Sequence, residues 1–249
     1  VYEFVLTTGT LFVVVTATRW MFLPDSPLAS VLSTLESRLA VMALMVGAII
    51  TTVLGPAMRQ GTAGHLNPAV TLALWLFRVF PGRAVAPFVA AQLTGSVAGV
   101  ALARLVWGDP ASQVDYAALA PSPDWGTGAV FLAESGCMTA IMLIVAIAIA
   151  RPRLAAHLPL LIGASVAAVI YGFGPLSGGG VNPARQLGPA LLSGRTDLLW
   201  LYLTAPVVGA ALAAGISAAL RPSAVRQPEQ TGATSTTGAT PHAESAASR

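Results

Sequence analysis

The stretches His65-Leu66-Asn67-Pro68-Ala69-Val70-Thr71 and Gly180-Val181-Asn182-Pro183-Ala184-Arg185 decide how the rest of the chain reads. Each sets an Asn-Pro-Ala tripeptide at the end of an apolar segment. Each is followed by a short helix-compatible run, Val70 to Phe77 and Arg185 to Leu192. Asn is a strong helix N-cap and Pro suits the first helical position, so both tripeptides mark a helix start. The runs are about two or three turns long at ~1.5 Å per residue, too short to cross a bilayer. One such tripeptide carries little information. Two of them, in matching places of two matching halves, specify an architecture.

Composition sets the solvent. Hydrophobic residues make up 55% and charged residues 9%, against the ~25% charge of a soluble domain, and the mean hydropathy is +0.74. So little polar surface cannot make a water-facing shell, and the chain reads as an all-α polytopic membrane protein. The 13 basic residues are all Arg and are scattered, which gives no footprint for nucleic acid. The single cysteine, Cys137, lies in an apolar run and reads as a small buried filler. No cleavable signal peptide is visible. The chain opens at Val1 without an initiator Met and is apolar by Phe4, so residues ahead of it are expected to have been trimmed.

Outward from the two tripeptides, six apolar segments are expected at residues 2–17, 39–57, 84–106, 128–150, 158–173 and 198–220, each read as a span of the ~30 Å hydrocarbon layer. Residues 23–37 and 108–126 read as loops, with Pro24, Pro27 and Glu36 in the first and Asp109, Asp115 and Asp124 in the second. The order is span, span, half-helix, span, twice over. Glu3 opens the first half and Glu134 the second. Gly95 and Gly99 in the third segment match Gly209 and Ala213 in the sixth. An odd number of spans per half gives the halves opposite orientations, which is an inverted repeat. The units are 1–107, a connecting loop at 108–127, 128–220, and a tail at 221–249 expected to be disordered. Arg59, Arg78, Arg83, Arg151, Arg153 and the tail arginines fall on one side, and most acidic residues on the other. The arginine-rich side is expected to be cytoplasmic, with both termini inside a multi-pass cell (inner or plasma) membrane and the 108–127 loop outside.

A half-helix that enters a membrane points unpaired N–H groups and a positive dipole end into the interior, which is tolerated only where it is packed in protein or lines a wet cavity. From two inverted halves, two such ends can meet near the midplane. There the Asn67 and Asn182 amides would be free to donate to a passing solute while their oxygens cap backbone N–H groups. The paired positive ends raise the energy of any cation there. Arg185 is the one arginine expected inside the membrane region, where a lone charge is functional by default.

These residues resemble the aquaporin, or major intrinsic protein, family: Asn67-Pro68-Ala69, Asn182-Pro183-Ala184, the flanking His65-Leu66 and Val70-Thr71, Arg185, Glu3, Glu134 and Gln92. The resemblance covers nearly 1–220. It implies six transmembrane helices in a right-handed bundle with two re-entrant half-helices, one pore per chain and a homotetramer. It implies that Arg185 stands at an outer constriction, that Glu3 and Glu134 hold the re-entrant loops by accepting backbone N–H bonds, and that His65 bonds loop backbone. Metal binding at His65 has no second ligand at useful spacing, and no cofactor is expected.

The resemblance also locates the remaining filter positions. Counting back from Asn182 gives Ile170 where water-selective members carry His, and Gly179 where they carry Cys or glycerol channels carry Phe. In segment two the count lands near Gly47, with Val46 or a neighbour as the alternative. A ring of Gly47, Ile170, Gly179 and Arg185 is wider and less polar than one built from an aromatic and His. Gln186 and Ala190 stand where glycerol channels carry Asp and a basic residue. Tyr202-Leu203 before Pro206, and the run 182–189, are most similar to nodulin-like intrinsic proteins and bacterial aquaglyceroporin-type relatives. That group implies passive permeation of glycerol, urea or metalloid hydroxides such as arsenous, boric or silicic acid, together with water and without ions or protons. The alternatives are a mainly water-selective channel and, from a different class, a secondary active transporter, which shares inverted repeats and broken helices but would carry a coupling-ion site. An enzyme is not expected, because His65, His157, His242 and one Cys suggest no catalytic spacing.

Overall fold

The computed structural model describes residues 1–59 and 64–220. The 221–249 tail and the arginines it holds lie outside the described residues. The elements are α1 (Tyr2–Phe22), α2 (Pro27–Val31), α3 (Leu35–Arg59), α4 (Pro68–Leu76), α5 (Gly82–Trp107), α6 (Asp109–Ser112), a single 3-10 turn (Asp115–Ala117), α7 (Thr127–Ile149), α8 (Pro152–Ala155), α9 (Leu158–Phe173), α10 (Pro183–Ser193) and α11 (Leu199–Ala219). The described residues contain no strand. The fold is six long helices with α4 and α10 as the two half-helices.

Five of the six, α1, α3, α5, α7 and α11, are long and apolar enough to cross a membrane. The sixth corrects the sequence reading. Helix α9 has 16 residues, or ~24 Å at ~1.5 Å per residue, short of ~30 Å. Its path is completed by the irregular stretch from Gly174 to Val181, which leads into α10. Helix α1 runs one turn past Ala17 to Phe22, carrying Arg19 and Trp20 inside the helix. The two stretches read as loops also contain short helices, α2 and α6, and the 3-10 turn.

Within the first half α1 packs on α5, and within the second α7 packs on α11. Missing side chains decide these crossings. A Cβ on Gly99 would collide with the Thr8 carbonyl, and one on Gly209 with the Ser135 carbonyl, so the backbones approach as small residues permit in membrane bundles. The half-helices tie the halves together: α10 packs on α5 as well as α11, and α4 on α11 as well as α5. The third seam, α3 against α9, also joins the halves and is closed by Gly47 facing Gly163.

This geometry gives a stability prediction. Gly209→Val forces its side chain into the Ser135 carbonyl and the Met138 Cβ, an overpacking cost of about 1–3 kcal/mol. Gly215→Val, on the same helix with nothing within 4 Å, is expected to stay within about 0.5 kcal/mol of the parent. Thermal unfolding of the two variants in detergent measures the difference, and equal midpoints would remove the packing role of Gly209.

Candidate conduction path and filter

Asn67 and Asn182 cap α4 and α10 in nearly the same conformation, with φ −152° and ψ 117° at the first and φ −152° and ψ 112° at the second. Asn67 Oδ1 accepts from Ala69 N (2.9 Å). Asn182 Oδ1 accepts from Ala184 N (2.9 Å) and Arg185 N (3.3 Å). The side-chain amides cross over: Asn67 Nδ2 donates to Val181 O and Asn182 Nδ2 to Leu66 O, both at 2.9 Å. The sequence reading left both amide protons free for a solute. The structure commits one from each asparagine to the opposite loop, and one remains.

The residues before the caps are strained. Leu66 has φ 55° and Val181 φ 41°, a left-handed backbone that branched side chains avoid, costing about 1–3 kcal/mol each. A buried carboxylate holds each of them. Glu3 Oε1 accepts from Gly64 N (2.8 Å) and His65 N (2.7 Å), and its Oε2 from Leu66 N (2.9 Å) and Gln92 Nε2 (2.7 Å). Glu134 Oε1 accepts from Ser177 Oγ (2.8 Å) and Gly180 N (3.0 Å), and its Oε2 from Val181 N (2.6 Å). Each left-handed residue therefore turns its N–H to a glutamate and its carbonyl to the other half's asparagine. His65 Nδ1 lies 3.0 Å from Thr71 Oγ1, and the ring meets Phe80 edge-on at 4.8 Å.

A cavity of about 680 Å³ passes these residues. It runs the length of α3, because Leu35 in the first turn and Met58 near the last both line it, with Leu39, Met42, Val46, Ile50 and Leu54 between them. Leu158, Ile162, Val166 and Ile170 form the facing stripe of α9. His65, Asn67, Asn182, Gly179 and Arg185 also line it.

Gly47 does not. A Cβ there would stand 2.8 Å from Gly163 O, so Gly47 belongs to the α3–α9 seam. One residue is about 100° of helix rotation, which puts Val46 on the cavity and its neighbour in the seam. Val46 and Met42 pack in the same apolar cluster as Ile170. They are the α3 residues at that level, and the ring is narrower there than a glycine would make it.

Sequence reasoning missed the outer loop. Asp115, Tyr116 and Ala117 have φ 50°, 51° and 64°, a left-handed turn of three non-glycine residues. Burial of Tyr116 and Ala117 against Leu11 and Val14, and an Asp115–Arg195 ion pair at 2.7 Å, hold it in place. The turn points Ala117 O at Arg185 Nη1 (2.8 Å). Two residues past Ala117, Leu119 N donates to the buried Gln186 Oε1 (2.8 Å) and Leu119 O accepts from Gln186 Nε2 (3.1 Å). The Leu119 side chain packs under Gly178 and Gly180. Val114, Ala117, Ala118, Leu119 and Ala120 all line the cavity. The apolar run 117–120 inside an otherwise polar loop was the available signal.

Arg185 is not the only arginine drawn into the helical layer. Arg19 lies over the Trp20 and Trp107 rings at 4.4 and 4.5 Å, with Nε and Nη1 buried and without hydrogen-bond partners. The indole faces stabilise that charge in place of a counter-ion.

A model of the family described as "Major intrinsic protein" matches residues 1–216. The chain belongs to the major intrinsic protein family. Among curated relatives, a probable aquaporin AqpM of Archaeoglobus fulgidus is 36% identical over 160 residues, 61% of this chain and 65% of that protein. Aquaporin NIP3-1 of Arabidopsis thaliana is 33% identical over 170 residues, 67% of this chain and 53% of that protein. Aquaporin NIP4-1 of Oryza sativa subsp. japonica is 37% identical over 180 residues, 71% and 59% respectively. The chain thus spans between half and two thirds of the length of these major intrinsic proteins. An X-ray structure of the aquaglyceroporin from Plasmodium falciparum superposes with a TM-score of 0.70 at 20% identity, covering 86% of this chain and 92% of that one. At that identity the likeness speaks to the fold.

Proposed function

We propose that this major intrinsic protein is a passive channel for small neutral solutes, of the size of glycerol, urea and metalloid hydroxides, and for water, and that it excludes ions and protons. The carrying observation is the cavity that follows α3 from end to end past both asparagines, with Ile170, Gly179 and Arg185 at its outer part in place of a ring with an aromatic and His. Apolar stripes on α3 and α9 line two facing sides of the cavity, and a few donors remain to orient a solute. Neither glutamate lines the cavity, and their oxygens are occupied by loop donors. That favours uncoupled permeation over a transporter with an ion site.

Matched packing of α1 on α5 and α7 on α11, with paired caps, supports inverted halves at 1–107 and 128–220. The exposed apolar residues of the long helices, such as Leu44, Leu105 and Leu132, suit lipid and a homotetramer interface in a cell membrane. With the arginine-rich loops inside, both termini are cytoplasmic.

A second reading, mainly water conduction, is favoured by Val46 and Met42 beside Ile170 in place of Gly47. Stopped-flow light scattering on proteoliposomes separates the two. The proposal expects glycerol, urea and boric acid to enter about tenfold faster than into empty vesicles. Rapid water flux with none of these solutes above the empty-vesicle rate would establish the second reading instead.

A further inference from the structure

Among the described residues one ion pair forms, Asp115 Oδ2 with Arg195 Nη2 at 2.7 Å, and the two side chains are 39% and 54% exposed. A pair this exposed adds little to global stability. Its place in the fold gives it another use. Arg195 follows Gly194, the left-handed residue that ends α10. Asp115 opens the left-handed turn whose last carbonyl, Ala117 O, holds Arg185 Nη1. Leu119 is held in turn by Gln186. Residues 115–119 therefore lie along α10 as a strap, tied at Arg195, at Arg185 and at Gln186. Helix α10 rises ~12 Å between Arg185 and Ser193, so the ion pair anchors the end of the strap farthest from the asparagines.

Backbone strain makes that anchor matter. Asp115, Tyr116 and Ala117 are three consecutive non-glycine residues at positive φ, a backbone that relaxes to the right-handed region unless it is held. Burial of Tyr116 and Ala117 against α1 holds it on one side. On the other, the ion pair is the hold at its first residue. When the turn relaxes, Ala117 O rotates away from Arg185. The guanidinium then has no acceptor among the described residues, and the α3 and α9 stripes across the cavity are apolar. A charge so placed keeps its water and stands in the path.

We propose that Asp115 and Arg195 are positioning residues for Arg185: their ion pair holds the strap on α10, the strap holds the guanidinium to the wall, and the path stays open to solutes. This rests on the reading of the cavity as the solute path. Because the pair is exposed, salt screens it, and ionic strength at that face tunes the flux.

The test reads glycerol and water influx in proteoliposomes for the parent, Asp115→Asn, Arg195→Gln and the double variant. Asn tolerates the left-handed region as Asp does, so the first substitution removes the charge and little else. Each single variant is expected to lower glycerol influx about twofold and the double no further, because either change alone breaks the pair. In an Arg185→Val background Asp115→Asn is expected to have no effect, an outcome that a merely structural role does not give. Raising KCl on both faces from about 0.1 M to about 1 M is expected to lower influx about twofold in the parent and to leave Asp115→Asn unchanged. Unchanged influx in the single variants, an about fourfold loss in the double, or a loss that persists without Arg185 overturns the proposal. Where the variants fail to fold, the salt response of the parent decides: a fall supports the ion pair, and none overturns it. A parent that carries water and no glycerol overturns the neutral-solute reading alone, and the same comparisons are then read on water.

Discussion

Glu134→Ala is expected to abolish solute and water flux and to lower stability by about 3–5 kcal/mol, the cost of removing one partner from a fully buried charged hydrogen-bond network. Glu134 is 0% exposed and accepts from Ser177 Oγ, Gly180 N and Val181 N. Without it three donors are buried without partners, at about 1–3 kcal/mol each before relaxation. Val181, with φ 41°, then loses the bond that holds it left-handed. Its carbonyl turns away from Asn67 Nδ2, so damage in one half reaches the cap of the other. Glu134→Gln retains one acceptor oxygen but presents an NH2 group to a backbone donor, so an intermediate loss is expected. Thermal unfolding and water flux in proteoliposomes measure both variants. Water flux within twofold of the parent in the alanine variant would show that the loop does not depend on Glu134.

Arg185→Val is expected to raise proton and small-cation leak by about tenfold to a hundredfold. A fixed charge ~6 Å from a passing cation at an effective dielectric of ~20 contributes about 2.8 kcal/mol of repulsion, two decades in rate. Arg185 lines the cavity, and among described residues its side chain has one hydrogen-bond partner, Ala117 O. The leak remains small in absolute terms because the positive ends of α4 and α10 stay in place at the asparagines. Glycerol flux is expected to rise, since valine is smaller than arginine. Dissipation of an imposed pH gradient in proteoliposomes reads the leak directly. An unchanged proton leak would assign exclusion wholly to the paired half-helices.

How much was legible in advance depended on how local each feature is. The two caps are written into a few consecutive residues each, because an Asn side chain reaches only the N–H groups two or three residues ahead and Pro acts on its own φ. Six helical segments were legible because hydrocarbon demands continuous apolar runs with internal hydrogen bonds. Boundaries were less so. The Arg19-Trp20 pair read as a helix end, yet Trp107 from α5 supplies the second ring that keeps Arg19 inside α1. Helix α9 keeps the bounds read from the sequence, 158–173, but those 16 residues reach only ~24 Å, and it was read as a full span although it is too short for one.

The filter divided along the same line. Ile170, Gly179 and Arg185 line the cavity, and each lies a short, gap-free count from Asn182. Gly47 was misplaced because the count runs from Asn67 across residues 55–64, and an error of one position turns a helical residue by about 100°. The Gln186–Leu119 pairing was out of reach, since nothing local links an amide after Arg185 to a loop 67 positions earlier.

By itself the sequence determined the solvent, the number of apolar segments, the doubled cap and the opposed halves, all of which follow from composition and short-range chemistry. The tertiary structure alone decided that each asparagine spends an amide proton on the opposite loop, that Gly47 closes a seam and Val46 faces the path, and that an outer loop holds Arg185. Those facts depend on side chains from distant segments meeting in one place, and no spacing within a single segment encodes them. The two Asn-Pro-Ala stretches place two helix ends together, and the packing around them sets how much of each remains for a solute.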